Sequence, residues 1–163
     1  RTNIRYLTDE QIPEPIDFIS VDVSFISLTL ILPVVYRFLR EGGSCACLVK
    51  PQFEAGREKV GKNGIIKDPA VHLEVLQFEA GREQVGKKGI VRDPKVHCQV
   101  IENVITYGRE NGLYSHGLTW SPVTGAKGNI EYLMYLCKDS EPSTVSEEDL
   151  SAIVGSSHED LDD

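Results

Sequence analysis

The sequence predicts an α/β fold whose sheet combines a parallel strand pair with an antiparallel one. Residues 16–22 and 44–50 are short apolar runs typical of buried strands, and residues 28–39 between them place apolar side chains at helical spacing. A strand–helix–strand order favours two parallel strands. Residues 113–120 and 130–138 are two further predicted strands, and the short turn-rich loop between them favours an antiparallel pair at the end of the sheet.

Two predicted helices have recognisable ends. The helix over residues 28–39 is followed by the glycine pair 42–43, which we expect to stop it. The helix over residues 94–111 begins after Asp93, a residue type that caps helix N-termini, and is followed by Gly112. Its valines recur at helical spacing, so one face of this helix should contact the core.

Composition fits a globular domain followed by an acidic segment. The chain has 163 residues, 40% of them apolar and 26% charged, and no apolar run reaches the roughly 20 residues of a membrane span. Residues 139–163 hold nine acids and no lysine or arginine, whereas residues 1–138 carry a net charge of only +1, so the overall charge of −8 does not exclude nucleic-acid binding. We expect residues 139–163 to be a solvated, partly disordered acidic tail with a short helix over residues 146–154.

The four cysteines indicate a reducing compartment. They are Cys45, Cys47, Cys98 and Cys137; they include no C-x-x-C pair, and no His/Cys spacing in the chain fits a zinc site. We therefore interpret all four as small core residues and predict no metal. The first residues show no secretory signal, so we expect a cytoplasmic protein, or an organellar one, such as a plastid protein, if the source is eukaryotic.

A tandem repeat occupies the middle of the chain. Residues 52–76 and 77–101 align without a gap and are identical at 17 of 25 positions. Two copies are too few for a solenoid, which needs about three or more. We interpret the repeat as a recent duplication of one functional loop, in which the first copy keeps the junction to Lys50 and the second keeps the junction to the helix over 94–111. We expect the surplus residues, from about 57–92, to be irregular, mobile or poorly packed.

Three charged side chains are predicted to lie at one edge of the sheet. Asp22 and Lys50 end two parallel strands, and Glu131 stands at the start of the last strand. Ligands of open parallel sheets bind beyond the carboxyl ends of the strands, so these three residues form a candidate catalytic site. Each also has an ordinary structural explanation: a turn cap, a solvated lysine and a charge on an edge strand.

The repeat also supplies a candidate RNA-binding surface. Residues 57–67 hold four bases and one acid, and residues 82–95 hold five bases and two acids, with glycines throughout. A basic, glycine-rich loop beside a strand end suits a phosphate backbone, although a solvated surface loop is the alternative. The candidate RNA-binding residues are Arg57, Lys59, Lys62, Arg82, Lys87 and Lys88.

Three sequence motifs resemble those of a known family. They are Ser-Val-Asp-Val-Ser-Phe-Ile-Ser at 20–27, Lys-Pro-Gln-Phe-Glu-Ala-Gly-Arg-Glu at 50–58 and Gly-Asn-Ile-Glu at 128–131. With them, residues 1–138 resemble the TlyA/hemolysin A family of FtsJ-like ribosomal-RNA 2′-O-methyltransferases, which use S-adenosylmethionine. The resemblance implies a Rossmann-like methyltransferase sheet, of which residues 1–138 would form a partial domain, the C-terminal half.

The resemblance also implies roles for the site residues. Asp22, Lys50 and Glu131 match three members of the family's Lys-Asp-Lys-Glu catalytic tetrad, and Asp22 would also contact the cofactor. Lys50 would lower the barrier to deprotonation of a ribose 2′-hydroxyl, which attacks the methyl group. The partner would be ribosomal RNA or a ribosomal subunit, with no metal and no membrane involved.

Several family features have no counterpart in the sequence. They are the first tetrad lysine, the small S4-type RNA-binding domain and the Gly-rich cofactor loop. The alternative function is therefore a non-catalytic RNA- or protein-binding remnant of such an enzyme. A membrane-lytic haemolysin, which the family's older name suggests, has no support because the sequence contains no amphipathic lytic helix.

Overall fold

The strands of the chain form one four-stranded mixed sheet. The computed structural model describes residues 2–54, 90–139 and 142–161. The strands are β1 (Ile16–Val21), β2 (Leu39–Val49), β3 (Tyr114–Trp120) and β4 (Tyr132–Cys137). Their order across the sheet is β1-β2-β4-β3; β1 is parallel to β2, and β4 is antiparallel to both of its neighbours. The predicted α/β fold, with a parallel pair and a final antiparallel pair, is confirmed.

Four α-helices accompany the sheet in the part of the chain that the structure describes. They are α1 (Leu32–Phe38), α2 (Pro51–Glu54), α3 (Pro94–Glu110) and α4 (Glu147–Leu161), and short 3₁₀ turns occur at Ile4–Tyr6, Leu28–Leu30 and Ala126–Gly128. α3 begins as predicted, because the Asp93 side chain accepts a hydrogen bond from the Lys95 amide. Among the described helices, none has the length and apolar character that crossing a membrane requires.

The core lies on one face of the sheet. The inward side chains of β2 and β4 alternate along each strand, as half-buried strands require. The buried core residues are Cys45, Cys47 and Val49 of β2, Tyr132, Met134 and Leu136 of β4, Leu32 and Val35 of α1, and Val100, Ile101 and Val104 of α3. The apolar stripe predicted for α3 is therefore its buried face.

Two of the four cysteines differ from the prediction. Cys45 and Cys47 are fully buried, whereas Cys98 and Cys137 are only half-buried. Cys98 lies on the flank of α3, where it packs against the core without being enclosed by it. Cys137 ends β4 on the face opposite the core, since its neighbour Leu136 is the buried one.

The glycine pair 42–43 was predicted to end a helix, and this is wrong. α1 ends at Phe38 and β2 begins immediately, so both glycines lie within the strand. The pairing of β2 with β1 jumps from Leu39 to Ser44, and the residues between them form a bulge. Gly42 has a φ of +70°, and a Cβ at Gly43 would lie 2.9 Å from the Arg40 carbonyl oxygen. The bulge therefore requires glycine at both positions.

The C-terminal segment was predicted to be solvated and partly disordered; most of its described residues are helical rather than disordered, and many of them are exposed as predicted. Residues 147–161 form α4, a longer helix than the predicted 146–154, and Leu150 and Val154 join the core. The predicted capping box is present: Ser146 Oγ accepts from the Asp149 amide, and the Asp149 carboxylate accepts from the Ser146 amide. The apolar residues at four-residue spacing bury one side of the helix. The acidic side chains of its first turn stabilise it by interacting with the positive end of the helix dipole.

Candidate active site

Asp22 and Lys50 are in contact at one edge of the sheet. Asp22 directly follows β1 and Lys50 directly follows β2, and these neighbouring strands are parallel, so their carboxyl ends meet. Lys50 Nζ donates to Asp22 Oδ1 at 2.6 Å and to Ser24 Oγ at 3.3 Å. The Lys50 side chain is 10% exposed and that of Asp22 is 71% exposed. The pair therefore presents an open carboxylate beside a buried ammonium group.

Glu131 lies at the same edge of the sheet. It immediately precedes β4, which is antiparallel to β2, and Val49 at the end of β2 pairs with Tyr132 at the start of β4. The Glu131 side chain is buried, and its Oε1 accepts from Gln52 Nε2 at 3.3 Å. A Cβ at Gly125 would overlap the Glu131 carboxylate, so glycine is needed there. The structure brings the three predicted residues to one edge, and their catalytic roles remain predictions.

Glu54 is a buried carboxylate whose role the sequence did not reveal. Its two oxygens accept from Ser27 Oγ at 2.6 Å and from the Leu28 amide at 2.7 Å. These bonds join the end of α2 to the segment that follows β1. Because Asp22 and Lys50 flank these two segments, Glu54 helps to set their relative position. The only signal in the sequence was that Glu54 lies inside the motif at 50–58.

Phe25 is an exposed aromatic residue at the rim of the site. Phe25 is 62% exposed, and the centroid of its ring lies 4.8 Å from the centroid of the Phe53 ring. Its φ of +61° is a conformation that L-residues rarely adopt and that costs about 1–3 kcal/mol where it occurs. The exposed ring thus stands beside Phe53, three residues after Asp22 in sequence. Phe25 lies within the motif at 20–27, where the sequence pattern indicated no role for it.

Asn129 organises the loop that leads to Glu131. Its side chain is buried; Nδ2 donates to the Ala126 carbonyl at 2.9 Å, and Oδ1 accepts from the Val91 amide at 3.1 Å. The loop is thus tied both to itself and to the segment before α3. The motif at 128–131 contains this structural asparagine together with the candidate catalytic glutamate.

The candidate RNA-binding residues of the repeat, Arg57, Lys59, Lys62, Arg82, Lys87 and Lys88, lie outside the described residues. The same holds for most of the segment 57–92 that was predicted to be irregular or poorly packed. At its end, Val91 is described: it has no regular secondary structure, as predicted, but its side chain is packed in the core. Its amide and carbonyl are both hydrogen-bonded, the former to Asn129 Oδ1 and the latter to His97 Nε2 at 3.1 Å.

Comparisons with known proteins point to one family. The family model described as FtsJ-like methyltransferase matches residues 1–77 and 70–138. The Bacillus subtilis protein named "Putative rRNA methyltransferase YqxC" is 40% identical over 165 residues, which cover 99% of this chain and 50% of that protein. The Mycobacterium tuberculosis protein named "16S/23S rRNA (cytidine-2'-O)-methyltransferase TlyA" is 33% identical over 136 residues, which cover 83% of this chain and 41% of that protein.

A solved structure agrees with these relatives. It is described as "Putative hemolysin from Streptococcus thermophilus" and aligns with a TM-score of 0.77 at 34% identity, covering 99% of this chain and 50% of that chain. The chain thus spans about half the length, or less, of the relatives it matches. Because the family model matches most of its residues and its relatives are of the same kind, the chain belongs to the FtsJ-like methyltransferase family, in its TlyA/hemolysin A group.

Proposed function

We propose that a protein containing this chain transfers a methyl group from S-adenosylmethionine to a ribose 2′-hydroxyl of ribosomal RNA. The observation that carries the proposal is the contact between the buried Lys50 ammonium and the Asp22 carboxylate at the ends of two parallel strands. The family supports methyl transfer, and the name of the Mycobacterium tuberculosis relative supports a ribosomal substrate and the 2′ position. A ribosomal substrate implies a compartment that contains ribosomes, either the cytoplasm or an organelle.

In this proposal Lys50 acts on the hydroxyl oxygen. Asp22 and Ser24 hold its ammonium group at the sheet edge, and Glu131 supplies a second carboxylate there. A buried cation beside the ribose oxygen stabilises the negative charge that develops as the hydroxyl proton passes to a carboxylate of the site and from there to water, which lowers the barrier to attack. S-adenosylmethionine, when bound, supplies the methyl group on a positively charged sulfur. The new O–C bond forms as the S–C bond breaks, so holding the hydroxyl in line contributes much of the rate.

The described residues can form one side of a cofactor site. Asp22 is exposed at the end of β1, and β1 is an edge strand of the sheet described here. Its carboxylate is therefore open to a ligand on that side. The sequence contains no Gly-rich loop after a strand to bind the rest of the cofactor. We propose that the part of the relatives that this chain does not span supplies that loop.

Phe25 offers a surface for the target base. Base–aromatic stacking contributes about 1–3 kcal/mol per base, and an exposed ring supported by a second ring loses little freedom on stacking. A nucleotide stacked on Phe25 would bring its ribose close to the Asp22–Lys50 pair, since Phe25 follows Asp22 by three residues. The basic residues of the repeat are proposed to contact the phosphate backbone around that nucleotide.

The test uses a chimera that joins this chain to the part of the Bacillus subtilis relative that it does not span. We expect the chimera to transfer radiolabelled methyl groups to ribosomal RNA and to protect the modified linkage from alkaline cleavage. Lys50→Ala should abolish transfer and leave cofactor binding unchanged in calorimetry, and Lys50→Arg should fail as well because its planar, more bulky cation cannot replace an ammonium. The control is Arg109→Ala, an exposed base on α3. Near-normal transfer by Lys50→Ala would remove Lys50 from the reaction.

The second candidate function is a non-catalytic RNA- or protein-binding remnant. It is favoured by the open side of the site at β1, which is an edge strand of the sheet described here. For the 163-residue chain alone we expect no micromolar affinity for S-adenosylmethionine in a calorimetric titration. If the chimera binds the cofactor and still transfers no methyl group, while the chain alone binds ribosomal RNA, the remnant is the correct interpretation.

A further inference from the structure

Three potential metal ligands meet at the end of the sheet opposite the candidate active site. They are His116 of β3, Cys137 at the end of β4 and Asp139 two residues later. Their ligand atoms, a ring nitrogen, the thiol sulfur and a carboxylate oxygen, all lie within 4.8 Å of one another. Because Cys137 pairs with Ser44 rather than with the end of β2, this cluster is distant from Lys50 and independent of the proposed function.

A bulge in β3 places the histidine in the cluster. Ser115 pairs with Leu136 and Gly117 pairs with Tyr135, so His116 is an extra residue in β3 without a partner position on β4. Bulges of this kind change the direction of a side chain and often occur where a strand carries a functional group. Here the bulge leaves the His116 ring beside the end of β4.

The environment of the cluster suits a cation. The His116 side chain is 20% exposed and that of Asp139 is 29% exposed, so the ligands are largely shielded from solvent. His116 Nε2 is buried and lacks a hydrogen-bond partner among the described residues; Asp139 Oδ1 lies 3.5 Å away. A buried polar atom that makes no hydrogen bond costs about 1–3 kcal/mol, a cost that coordination of a cation would remove.

The neighbouring lysine does not occupy this position. Lys138 lies between two of the three ligands in sequence, but its Nζ donates to the Leu39 carbonyl at 2.9 Å and approaches the Glu41 carboxylate at 3.2 Å. It also lies over the ring of Tyr36. Its charge is therefore directed to Leu39 and Glu41 rather than to the three ligands.

We propose that His116, Cys137 and Asp139 bind a divalent cation of the borderline class, with Zn²⁺ as the best fit and water as the fourth ligand. A nitrogen, sulfur and oxygen set in which every protein ligand gives one atom matches four-coordinate zinc and excludes Mg²⁺ and Ca²⁺, which take oxygen ligands. The ion would link β3 to β4 and to the segment that leads to α4. It would be a structural brace rather than part of methyl transfer.

The test is a titration of the complete 163-residue chain with Co²⁺ under thiol-free reducing conditions. We expect one Co²⁺ per chain, tetrahedral visible absorption and a thiolate-to-cobalt charge-transfer band in the near ultraviolet, all removed by added Zn²⁺. Cys137→Ser should lose the charge-transfer band. The matched control is Cys98→Ser, which removes a half-buried thiol from α3 and should keep the band.

Two further variants test the other ligands and guard against misfolding. His116→Gln and Asp139→Asn each retain the thiol, and each should weaken Co²⁺ binding by at least about tenfold while the metal-free circular dichroism spectrum stays unchanged. The proposal is overturned if the parent chain shows no charge-transfer band, or if the band survives Cys137→Ser. It is equally overturned if neither His116→Gln nor Asp139→Asn weakens binding.

Discussion

At the residue scale, the buried carboxylate of Glu54 joins two segments of the candidate site. It accepts from Ser27 Oγ and from the Leu28 amide, both of which are shielded from solvent. Hydrogen bonds to an ionised group are stronger than neutral ones, and donors that lose a buried acceptor are not compensated by water. The stability of the loop after β1 should therefore depend on this one side chain.

We predict that removing the Glu54 carboxylate destabilises the chain by about 1–3 kcal/mol, because two buried donors lose their acceptor. Glu79 holds the same position in the second copy of the repeat, so the variant is Glu54→Ala with Glu79→Ala. The measurement is urea unfolding at equilibrium. Glu14→Ala, an exposed acid before β1, is the control. Equal midpoints for the variant and the control would show that Glu54 is not needed.

At the scale of the elements, a buried polar network connects β4 to α3 and α4. The Tyr132 hydroxyl lies 2.8 Å from His97 Nδ1 and 2.9 Å from Ser157 Oγ. His97 Nε2 lies 3.1 Å from the Val91 carbonyl, which can only accept, so this nitrogen carries a proton. His97 Nδ1 also lies 3.2 Å from His158 Nε2 of α4. Both helices are thus connected to the strand next to Glu131 by one tyrosine.

Tyr132→Phe should therefore lower the free energy of unfolding by about 1–3 kcal/mol, since it removes one partner from a buried network. Hydrogen exchange of the amides of α4 should also become faster, because Ser157 loses its link to the sheet. The control Tyr36→Phe removes a hydroxyl from a partly exposed tyrosine of α1. An unchanged stability and exchange pattern in Tyr132→Phe would count against the network.

The start of α4 gives a prediction that depends on pH. Hydrogen bonds from the Ser146 side chain and backbone hold the pKa of the Asp149 carboxyl below its usual range. A carboxylate with a lowered pKa stabilises the folded state above the pKa that it has in the unfolded chain, and this stabilisation is lost as pH falls through the folded-state value. The capping box should accordingly stabilise α4 at neutral pH and cease to do so in acid.

Ser146→Ala should lower the melting temperature at neutral pH and move the pKa of Asp149 back toward its ordinary value. The difference from the parent should shrink as the pH is lowered, because a protonated Asp149 no longer accepts from the Ser146 amide. Thermal melts at a series of pH values, with an NMR titration of Asp149, make the measurement. Ser151→Ala, at an exposed position within α4, is the control. A constant difference across that series would argue against the capping box.

At the scale of the whole molecule, the two copies of the repeat contribute different parts of the fold. Gln52, Phe53 and Glu54 of the first copy form α2 and contact the candidate site. Residues 91–101 of the second copy supply Val91 and the start of α3 to the core. The described parts of the repeat are thus the beginning of the first copy and the end of the second, and each belongs to a different part of the fold.

We predict that deletion of residues 52–76 leaves the chain at least as stable as the parent. The deletion joins Pro51 to Gln77, Phe78 and Glu79, which are identical to the residues that form α2. Shortening a connection also reduces its closure entropy, by about 0.6 kcal/mol per halving of its length. The measurement is the melting temperature by calorimetry. A clear fall would mean that the first copy contributes to the core, and the duplication hypothesis would then be wrong.

The sequence by itself determined the type and order of the elements. Apolar runs at residues 16–22 and 44–50, helical spacing after residue 94 and the cap at Asp93 are local patterns, and each is confirmed within a few residues. It also determined that Asp22 and Lys50 would lie at the same edge. This followed because a strand–helix–strand unit makes the strands parallel, and the carboxyl ends of adjacent parallel strands meet.

Only the tertiary structure decided the features that depend on a partner. A glycine pair can end a helix or form a bulge, and the approach of β1 selected the bulge at residues 42–43. The acidic residues of 139–163 predicted a segment exposed to solvent, yet Leu150 and Val154 pack against the core. The cluster at residues 116–139 likewise arises from the register of β3 against β4. Register and packing are set by contacts between segments distant in sequence, and local patterns do not encode which surface a segment will meet.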